Sequence, residues 1–450
     1  MRGRFFSFAR ATAPFVALAI VCGGAACTSF GTETTPEVDS GISDPADASV
    51  TPPPPSEAGP PPSTFRNDPS LGAEAFVAVT TGTSVCKYNP GAAPYCTGPT
   101  QASHTCALRN DGEVLCWGAS KSGRLGAVPQ GDSIDSAWRP SPTPAKVPGL
   151  PAPATAIAAG ADHTCALLST KAVYCWGYNW NGQLGHGDGI EGQPNAGTGQ
   201  PPGRLPLKNT GTVKDLVAGQ GHTCVRFESG EVECTCKAND QETDAFKARS
   251  FQKISLGWKT SCGVDIAGGL WCSGDSASNQ ITNPPNAPAT MVLGSIDDVT
   301  VGYGHICATP RGSGRPQCWG NCAGFGETTG AQPCSRVPGN RVALPSVGNG
   351  STVPSVVEAG GAHTCWIEAS NVYCFGASTS GETGAPPGLK GAPGDPILRN
   401  ARTVSASASH TCAVTSTGDV FCWGNNDFGQ LGNSDKSVDV ATKVVFPPGG

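Results

Sequence analysis

Histidine and cysteine are the residues of this sequence whose chemistry could support catalysis or metal binding, and both recur at regular positions. The chain has seven histidines and 21 cysteines. Six of the histidines stand two residues before a cysteine: His104, His163, His222, His305, His363 and His410. Since equivalent positions of a repeat cannot all be catalytic, we expect these side chains to satisfy backbone groups where a strand begins. The sequence therefore predicts no catalytic residue.

Sites for metals, cofactors and nucleic acid are not supported either. Zinc sites pair cysteines two to four residues apart, whereas the two cysteines of each copy here are 9 to 11 residues apart. The segment Gly187-Asp188-Gly189 lacks the Gly-Lys-Ser/Thr that completes a phosphate-binding loop. The net charge is -6 and there is no basic block, which argues against nucleic acid as the main partner. Asp297 and Asp298 are interpreted as scattered carboxylates without partners.

The cysteines belong to seven copies of a segment that is typical of a β-hairpin, clearest from Ser409 to Gly432. Folding the first copy about Asp111 places Cys106 opposite Cys116. Directly opposed residues have Cα atoms about 4.5 to 5.5 Å apart, within reach of a disulfide. The spacing predicts seven disulfides within hairpins: Cys106-Cys116, Cys165-Cys175, Cys224-Cys234, Cys262-Cys272, Cys307-Cys318, Cys365-Cys374 and Cys412-Cys422.

The remaining cysteines are few. Cys86-Cys96 and Cys322-Cys334 are predicted as two further disulfides, each closing an inserted loop. Cys236 is left over, either as a free thiol or as a competitor of Cys234 for Cys224, and we favour Cys234 as the partner.

Each hairpin is apolar on both faces, because Cys106 and Leu108 point one way while Ala107 and Leu115 point the other. A sheet that is apolar on both faces must be covered on both. Neighbouring copies of the same sheet can do this, as they do in a β-propeller. Strands that end in small residues, such as Ala156 to Gly160, precede most hairpins and suit a crowded position near the propeller axis.

The repeated motifs resemble those of a known family, the regulator of chromosome condensation type repeat. The matching runs are Ala-Gly-x-x-His-Thr-Cys-Ala-Leu, Cys-Trp-Gly and Asn-x-x-Gly-Gln-Leu-Gly, clearest at Gly160 to Gly185 and at His410 to Gly432. This resemblance implies an all-β fold, a seven-bladed β-propeller of four-stranded blades, over residues 72–450. We expect the tryptophans of the second motif to pack between blades: Trp117, Trp176, Trp319 and Trp423. The C-terminal strand, Thr442 to Phe446, is expected to complete the first blade and close the ring.

The N-terminus predicts export. Three arginines precede an apolar run from Ala11 to Ile20, which is too short to span a bilayer and is typical of a cleaved signal. Gly24-Ala25-Ala26 before Cys27 resembles the lipobox of bacterial lipoproteins, so residues 1–26 are expected to be removed and Cys27 lipidated. Cys22 is the rival lipid site, and cleavage near Ala26 with secretion is the alternative. Residues 27–71, rich in Pro, Ser, Thr and Ala, are predicted to be a disordered tether.

These observations favour a binding module over an enzyme. We expect a lipid-anchored protein of the bacterial cell envelope, at the outer membrane or cell surface, whose loops hold a protein or other envelope partner. Exposed aromatic and arginine residues on insertions are the candidates for binding: Tyr178, Trp180, Trp138 and Arg139. The alternative is an extracytoplasmic enzyme, which a crowded group of Asp, Glu, His or Lys at the channel would favour. Guanine nucleotide exchange, the role of the family's eukaryotic founder, is the remote alternative because of the export signal.

Overall fold

The computed structural model describes residues 68–84, 102–120, 123–127, 140–179, 181–186, 199–235, 246, 248–274, 281, 289–312, 314–321, 335–336, 338, 341–347, 350, 352–387, 390–391, 394–433 and 438–447. The predicted signal peptide, lipidation at Cys27 and most of the tether lie outside the described residues. Within the described part of the chain, no helix is long and apolar enough to cross a membrane.

The described residues form seven antiparallel sheets, which confirms the predicted seven-bladed propeller. In the first three blades the strands are β1 (Phe76–Ser84), β2 (Ala102–Arg109), β3 (Val114–Ala119) and β4 (Pro140–Lys146); β5 (Ala154–Ala159), β6 (His163–Leu168), β7 (Val173–Tyr178) and β8 (Gly199–Arg204); and β9 (Val213–Ala218), β10 (Thr223–Phe227) and β11 (Val232–Thr235). In the next two they are β12 (Phe251–Leu256), β13 (Thr260–Asp265), β14 (Leu270–Gly274) and β15 (Thr290–Leu293); and β16 (Ile296–Val301), β17 (His305–Pro310), β18 (Gln317–Asn321), β19 (Ser335–Arg336) and β20 (Val342–Ala343). In the last two they are β21 (Val356–Ala359), β22 (His363–Glu368), β23 (Asn371–Ala377) and β24 (Lys390–Gly391); and β25 (Ala401–Ala406), β26 (His410–Thr415), β27 (Val420–Gly424) and β28 (Val438–Lys443).

Each blade follows chain order from an inner strand at the axis to an outer strand. The strands run between two faces of the propeller, which we name by the features found at each. The glycine face is where the inner strands end, for example at Gly82 opposite His104. The hairpin face carries the turns between second and third strands, such as that from Arg109 to Val114, where Gly112 has a φ of 88°.

The register of the hairpins is the predicted one, and all seven predicted hairpin disulfides are present. Cys106 lies directly opposite Cys116, and their Cα atoms are 4.1 Å apart. The disulfide packs against the next blade beside Ile157 and Trp176, while Ala107 and Leu115 pack against the last blade. Neighbouring blades therefore cover both faces of each sheet. The predicted pairs Cys86-Cys96 and Cys322-Cys334, and Cys236, lie outside the described residues.

The blades are unequal. Blade 3 has three strands among the described residues, so β11 is the outermost strand seen there, and blade 5 has β19 and β20 both pairing with β18. Cys224 and Cys262 are only 38 residues apart in sequence, against 59 for the two preceding intervals between copies. The shorter segment leaves less chain for a fourth strand in blade 3.

The expected closure of the ring by an exchanged C-terminal strand is wrong. β28 pairs with β27 in blade 7, and blade 1 takes its outer strand from β4, which follows its own hairpin. The C-terminal segment still reaches blade 1 through a side chain: Phe446 stacks on Phe76 with ring centroids 4.1 Å apart and meets Trp117 edge-on. Because β28 stays in its own blade, contacts between blades 7 and 1 close the ring rather than a shared sheet, and they include a backbone hydrogen bond from Phe76 N–H to the carbonyl of Gly418 at 3.0 Å.

Candidate binding site at the propeller channel

The blades approach most closely where the inner strands end in glycine. A Cβ at Gly82 would overlap with the His104 ring and with the carbonyl of Gly160 in the next blade. The same holds at Gly160, Gly302 and Gly360. The small residues expected near the axis are therefore required by the approach of one blade to the next.

The repeated histidines connect neighbouring blades. His163 Nε2 lies 2.8 Å from Thr223 Oγ1 of the next blade, and six of the seven junctions have such a contact, at 2.8 to 3.1 Å. The prediction that these side chains are structural fits this arrangement, but their partner is a hydroxyl of the next blade rather than backbone at their own strand.

A turn of the sequence Gly-x-Leu-Gly, or Gly-Glu-Thr-Gly in blade 6, completes four of the junctions in the described residues. Thr105 Oγ1 donates to the carbonyl of Gln430 in the turn of the preceding blade at 2.8 Å, and Trp117 Nε1 donates to the same oxygen at 2.9 Å. Since the hydroxyl donates to a carbonyl, its oxygen accepts the hydrogen on His410 Nε2. In blade 3, where tryptophan is missing, Thr235 Oγ1 donates to the carbonyl of Gln183 at 2.9 Å instead. The predicted tryptophans are fully buried between blades, as expected.

The junction between blades 4 and 5 lacks both partners of the histidine contact. Thr260 stands where the other blades have histidine, and Ile306 stands where they have Thr or Ser. Both side chains are buried. With Thr260 in place of histidine and Ile306 in place of the hydroxyl residue, neither side chain is left as the single buried partner of the missing histidine–hydroxyl hydrogen bond. The two changes therefore compensate each other.

The inner strands line a cavity of about 200 Å³ on the axis. Seven lining residues, each directly opposite the first cysteine of its hairpin, form what we call the channel ring: Thr80, Ala158, Val217, Ser255, Thr300, Glu358 and Ser405. The four hydroxyls of this ring accept hydrogen bonds from backbone N–H groups of the following blade at 3.0 to 3.1 Å. Glu358 is the single ionisable member.

Further charged groups line the cavity toward the hairpin face. Lys253 Nζ lies 2.9 Å from Asp298 Oδ1 in the next blade. Asp215 is buried and accepts from Arg226 Nε at 2.7 Å. The interpretation of Asp297 and Asp298 as carboxylates without partners is therefore wrong, because Asp297 also pairs with Arg311 at 3.0 Å. Asp215, Lys253 and Asp298 each stand two residues before the channel-ring residue of the same strand. Because alternate residues of a strand share a face, these charged side chains point toward the axis as the ring residues do.

Aromatic side chains stand at the mouth of this cavity on the glycine face. Trp258 and Tyr303, each directly after the glycine of its inner strand, stack with ring centroids 5.7 Å apart. The other blades have no aromatic residue at this position: Thr83, Ala161, Gln220, Gly361 and Ala408. Trp258 is half-buried, and its Nε1 is enclosed without a hydrogen-bond partner among the described residues.

One predicted binding residue lies on the same face of the propeller as this mouth, at the end of β7. Tyr178 is half-buried, and its backbone N–H donates to the carbonyl of Asp162 at 2.8 Å. Burial, with a smaller effect of the Asp162 carboxylate, raises the pKa of Tyr178 to about 12, and the same two causes raise the pKa of Tyr303. Asp162 therefore lies near both phenols. Trp180, Trp138 and Arg139, the other predicted binding residues, lie outside the described residues.

Sequence reasoning missed Trp258, Tyr303, Glu358 and Lys253. Each is an exception at a position where most copies have small, apolar or hydroxyl residues. Aligning the copies on the glycine that ends the inner strand would have shown Trp258 and Tyr303. Glu358 and Lys253 could be recognised only once it was known which side of each inner strand faces the channel.

Comparisons with known proteins agree with the repeat and the fold. Models described as "Regulator of chromosome condensation (RCC1) repeat" match residues 111–167, 172–226 and 417–448, and also 154–183 and 401–430. The ultraviolet-B receptor UVR8 of Arabidopsis thaliana is 29% identical over 366 residues, covering 77% of this chain and 69% of that protein. The mitochondrial RCC1 domain-containing protein RUG3 of the same plant is 26% identical over 205 residues, covering 41% of this chain and 43% of that protein.

Among solved structures, Prp20p from Saccharomyces cerevisiae superposes with a TM-score of 0.62 at 20% identity, covering 75% of this chain and 86% of that one. Human WBSCR16 superposes with a TM-score of 0.59 at 20% identity, covering 74% and 95%. At this identity the likeness concerns the fold. The architecture is that of a β-propeller whose blades are joined through a repeated hairpin and turn. The chain is a seven-bladed β-propeller in which residues 111–226 and 401–448 match the regulator of chromosome condensation repeat.

Proposed function

We propose that the protein is a non-catalytic lipoprotein of the bacterial cell envelope whose propeller binds a protein partner at the glycine face. The observation that carries the proposal is the channel mouth, where Trp258 and Tyr303 are aromatic and the equivalent residues of the other blades are not. Aromatic residues that are partly exposed are typical anchors of protein interfaces.

The disulfides support the location. Seven cysteine pairs bonded within hairpins indicate an oxidising, extracytoplasmic compartment. Attachment through Cys27 is the finer proposal. The described chain begins at the hairpin face, where Asp68 and Asn110 exchange hydrogen bonds of 2.7 and 2.9 Å. A chain anchored through its N-terminus thus joins the propeller on the face opposite the aromatic mouth. The intact mass of the detergent-extracted protein tests the lipid directly.

Cross-linking in native membranes tests the binding face. A photoreactive amino acid would replace Lys259, beside Trp258 on the glycine face, or Lys171, in the exposed β6–β7 turn on the hairpin face. We expect a discrete cross-linked protein from position 259 only, and its loss when Trp258→Ala is added. Equal products from both positions, or products indifferent to Trp258→Ala, would contradict the proposed face.

An enzyme with its site in the channel is the second candidate. The observation in its favour is the group formed by Lys253, Asp298 and Glu358 on three successive blades, all of which line the same cavity. Hydrolysis or elimination would need this group to exchange protons with a substrate. A screen of envelope glycans and peptides with the full chain and Lys253→Met distinguishes the two candidates, because an enzyme loses turnover in the variant while a binding module shows none in either.

A further inference from the structure

Glu358 does not follow the pattern of the channel ring. The hydroxyl members of the ring each accept a backbone N–H of the next blade, but the carboxylate of Glu358 makes no hydrogen bond with the described residues. Its side chain is half-buried, open to the cavity and surrounded by the blades. A carboxylate in such a position needs a donor or a cation to offset its desolvation.

The carboxylates along the cavity outnumber the cationic groups that can pair with them by one. The ionisable residues that line it are Asp215, Lys253, Asp298 and Glu358. Asp215 is neutralised by Arg226, and Lys253 is bonded to Asp298. The inner strands of blades 1, 2 and 7 place no ionisable side chain on the cavity. Two carboxylates, Asp298 and Glu358, therefore share the single ammonium of Lys253.

A proton can take the place of the missing cation. Burial raises the pKa of Glu358 to about 8, with Lys253 lowering it and Asp298 raising it. At neutral pH the carboxyl of the empty channel is then mostly protonated. A cation that enters the channel must displace this proton, which couples its binding to pH.

We propose that the channel binds a primary ammonium group, carried on a slim alkyl chain, with Glu358 as its carboxylate. An ammonium group has three donors. Thr300 and Ser405 flank Glu358 at the same level of the neighbouring blades. Thr300 Oγ1 accepts one backbone N–H and keeps its second lone pair for another donor. Ser405 Oγ accepts the N–H of Thr81 and also shares a hydrogen bond of 3.0 Å with Thr81 Oγ1, and it keeps its second lone pair when it is the donor in that bond. One carboxylate and two hydroxyl oxygens thus match the three donors.

The size and composition of the cavity fit this class of ligand. A cavity of about 200 Å³ is smaller than most pockets for drug-sized molecules, and it suits an alkyl chain of the length of a lysine side chain. A metal ion is a poorer fit, because the described residues contain no group of three His, Cys, Asp or Glu able to hold one. The ammonium group could come from a free small amine or from a lysine side chain of a bound protein.

Binding of n-butylammonium and of the peptide acetyl-Gly-Lys-Gly-amide to the full chain, measured by calorimetry from pH 6 to pH 9, tests the proposal. We expect binding at pH 9, with affinity falling about tenfold for each pH unit below pH 8 as Glu358 takes up its proton. Neutral n-butanol should not bind. Tighter binding of butylammonium favours a free amine as the natural ligand, and tighter binding of the peptide favours a lysine of a partner.

Glu358→Gln keeps the shape of the side chain and removes the charge, so affinity at pH 9 should fall at least tenfold and lose its dependence on pH. Glu113→Gln, the same change at a carboxylate paired with Lys146 on the hairpin face, should leave binding unaltered. Both variants should unfold at the wild-type temperature within a few degrees. No binding of either ligand at pH 9, or equal binding to Glu358→Gln, would overturn the proposal. The result is independent of the glycine-face partner, because neither ligand requires it.

Discussion

At the scale of single residues, the contacts between blades explain why the same residue types recur at the same positions of the repeat. Histidine, threonine and tryptophan meet at one junction, and the turn of the preceding blade supplies the carbonyl that two of them share. All of these groups are buried. Removing one member would leave the buried atoms bonded to it without that hydrogen bond, so the loss of one member should be costly.

Thr223→Val tests this network. The change keeps the shape of the side chain and removes the hydroxyl that lies between His163 Nε2 and the carbonyl of Gln183. We expect a loss of about 1 to 3 kcal/mol in the free energy of unfolding, because the buried His163 Nε2 loses its partner and the Gln183 carbonyl keeps only Thr235 as a donor. Urea denaturation measures it. Thr223→Ser is the matched control, since Ser261 holds the same place beside His222, and it should cost less than half as much. Equal costs would show that the methyl group matters rather than the hydroxyl.

The buried histidines also predict acid sensitivity. Burial lowers the pKa of His163, His305 and His410 to about 3 and that of His363 to about 4, and it lowers the pKa of His104 as well. In the unfolded chain these groups titrate near pH 6.5. Below that pH the unfolded state binds protons that the folded state excludes, so stability must fall as the pH decreases.

The expected slope is up to about 1.4 kcal/mol per pH unit for each histidine between pH 6.5 and pH 4.5. Glu358 acts in the opposite direction over this range, because its raised pKa makes the folded state the one that holds the proton. One group against five leaves a net loss on acidification. Urea midpoints from pH 7.5 to pH 5 check it, and His163→Gln should reduce the slope. A midpoint that stays constant over this range would contradict the account.

At the scale of strands, the hairpins were predictable and the outer strands were not. Alternating apolar residues and opposed cysteines identified β2, β3 and their counterparts in register. The outer strands β4 and β8 have the sequences Pro-Ser-Pro-Thr-Pro-Ala-Lys and Gly-Gln-Pro-Pro-Gly-Arg, which carry no apolar alternation. Proline is tolerated on an edge strand, where its missing N–H faces solvent. The outer strands were therefore invisible to periodicity, and this is why β28 was assigned to the wrong blade.

The candidate site was less predictable than the fold for a related reason. Trp258 and Tyr303 lie just after the inner strands of their blades and Glu358 lies within one, and no recognisable sequence motif marks them as a site. Their meeting at one channel depends on which side of each strand faces the axis. Register and blade order, rather than any local motif, bring them together.

Phe446→Ala tests the corrected closure of the ring. Phe446 is half-buried against Phe76 and Trp117 of blade 1, so its truncation removes an aromatic contact between the two ends of the propeller. We expect a loss of about 2 kcal/mol, below the cost for a fully buried phenylalanine. Val445→Ala is the control, because the neighbouring Val445 is 71% exposed. A loss as large in Val445→Ala would show that the C-terminal segment acts through its backbone instead.

At the scale of the whole molecule, the ring is built from local units whose joints are not equivalent. Every described disulfide closes within one hairpin, so covalent bonds stabilise the blades singly and the joints between blades depend on packing and hydrogen bonds. Blade 3 interrupts the regularity. Its outermost described strand, β11, is half-buried along its length, where the third strands of other blades are mostly buried.

This asymmetry predicts the order in which the disulfides are reduced. Cys234 is half-buried, whereas the other thirteen bonded cysteines of the hairpins are at most 3% exposed. Reduction requires a thiolate to reach one sulfur of the bond in line, so Cys224-Cys234 should react at least about tenfold faster than the others in the folded protein. Cys165-Cys175, with the same separation of ten residues and both sulfurs buried, is the internal control. Dithiothreitol treatment at neutral pH, alkylation and peptide mass mapping over time give the order. Simultaneous reduction of all seven bonds would mean that sulfur is reached only when the whole ring opens, and that blade 3 is as well covered as its neighbours.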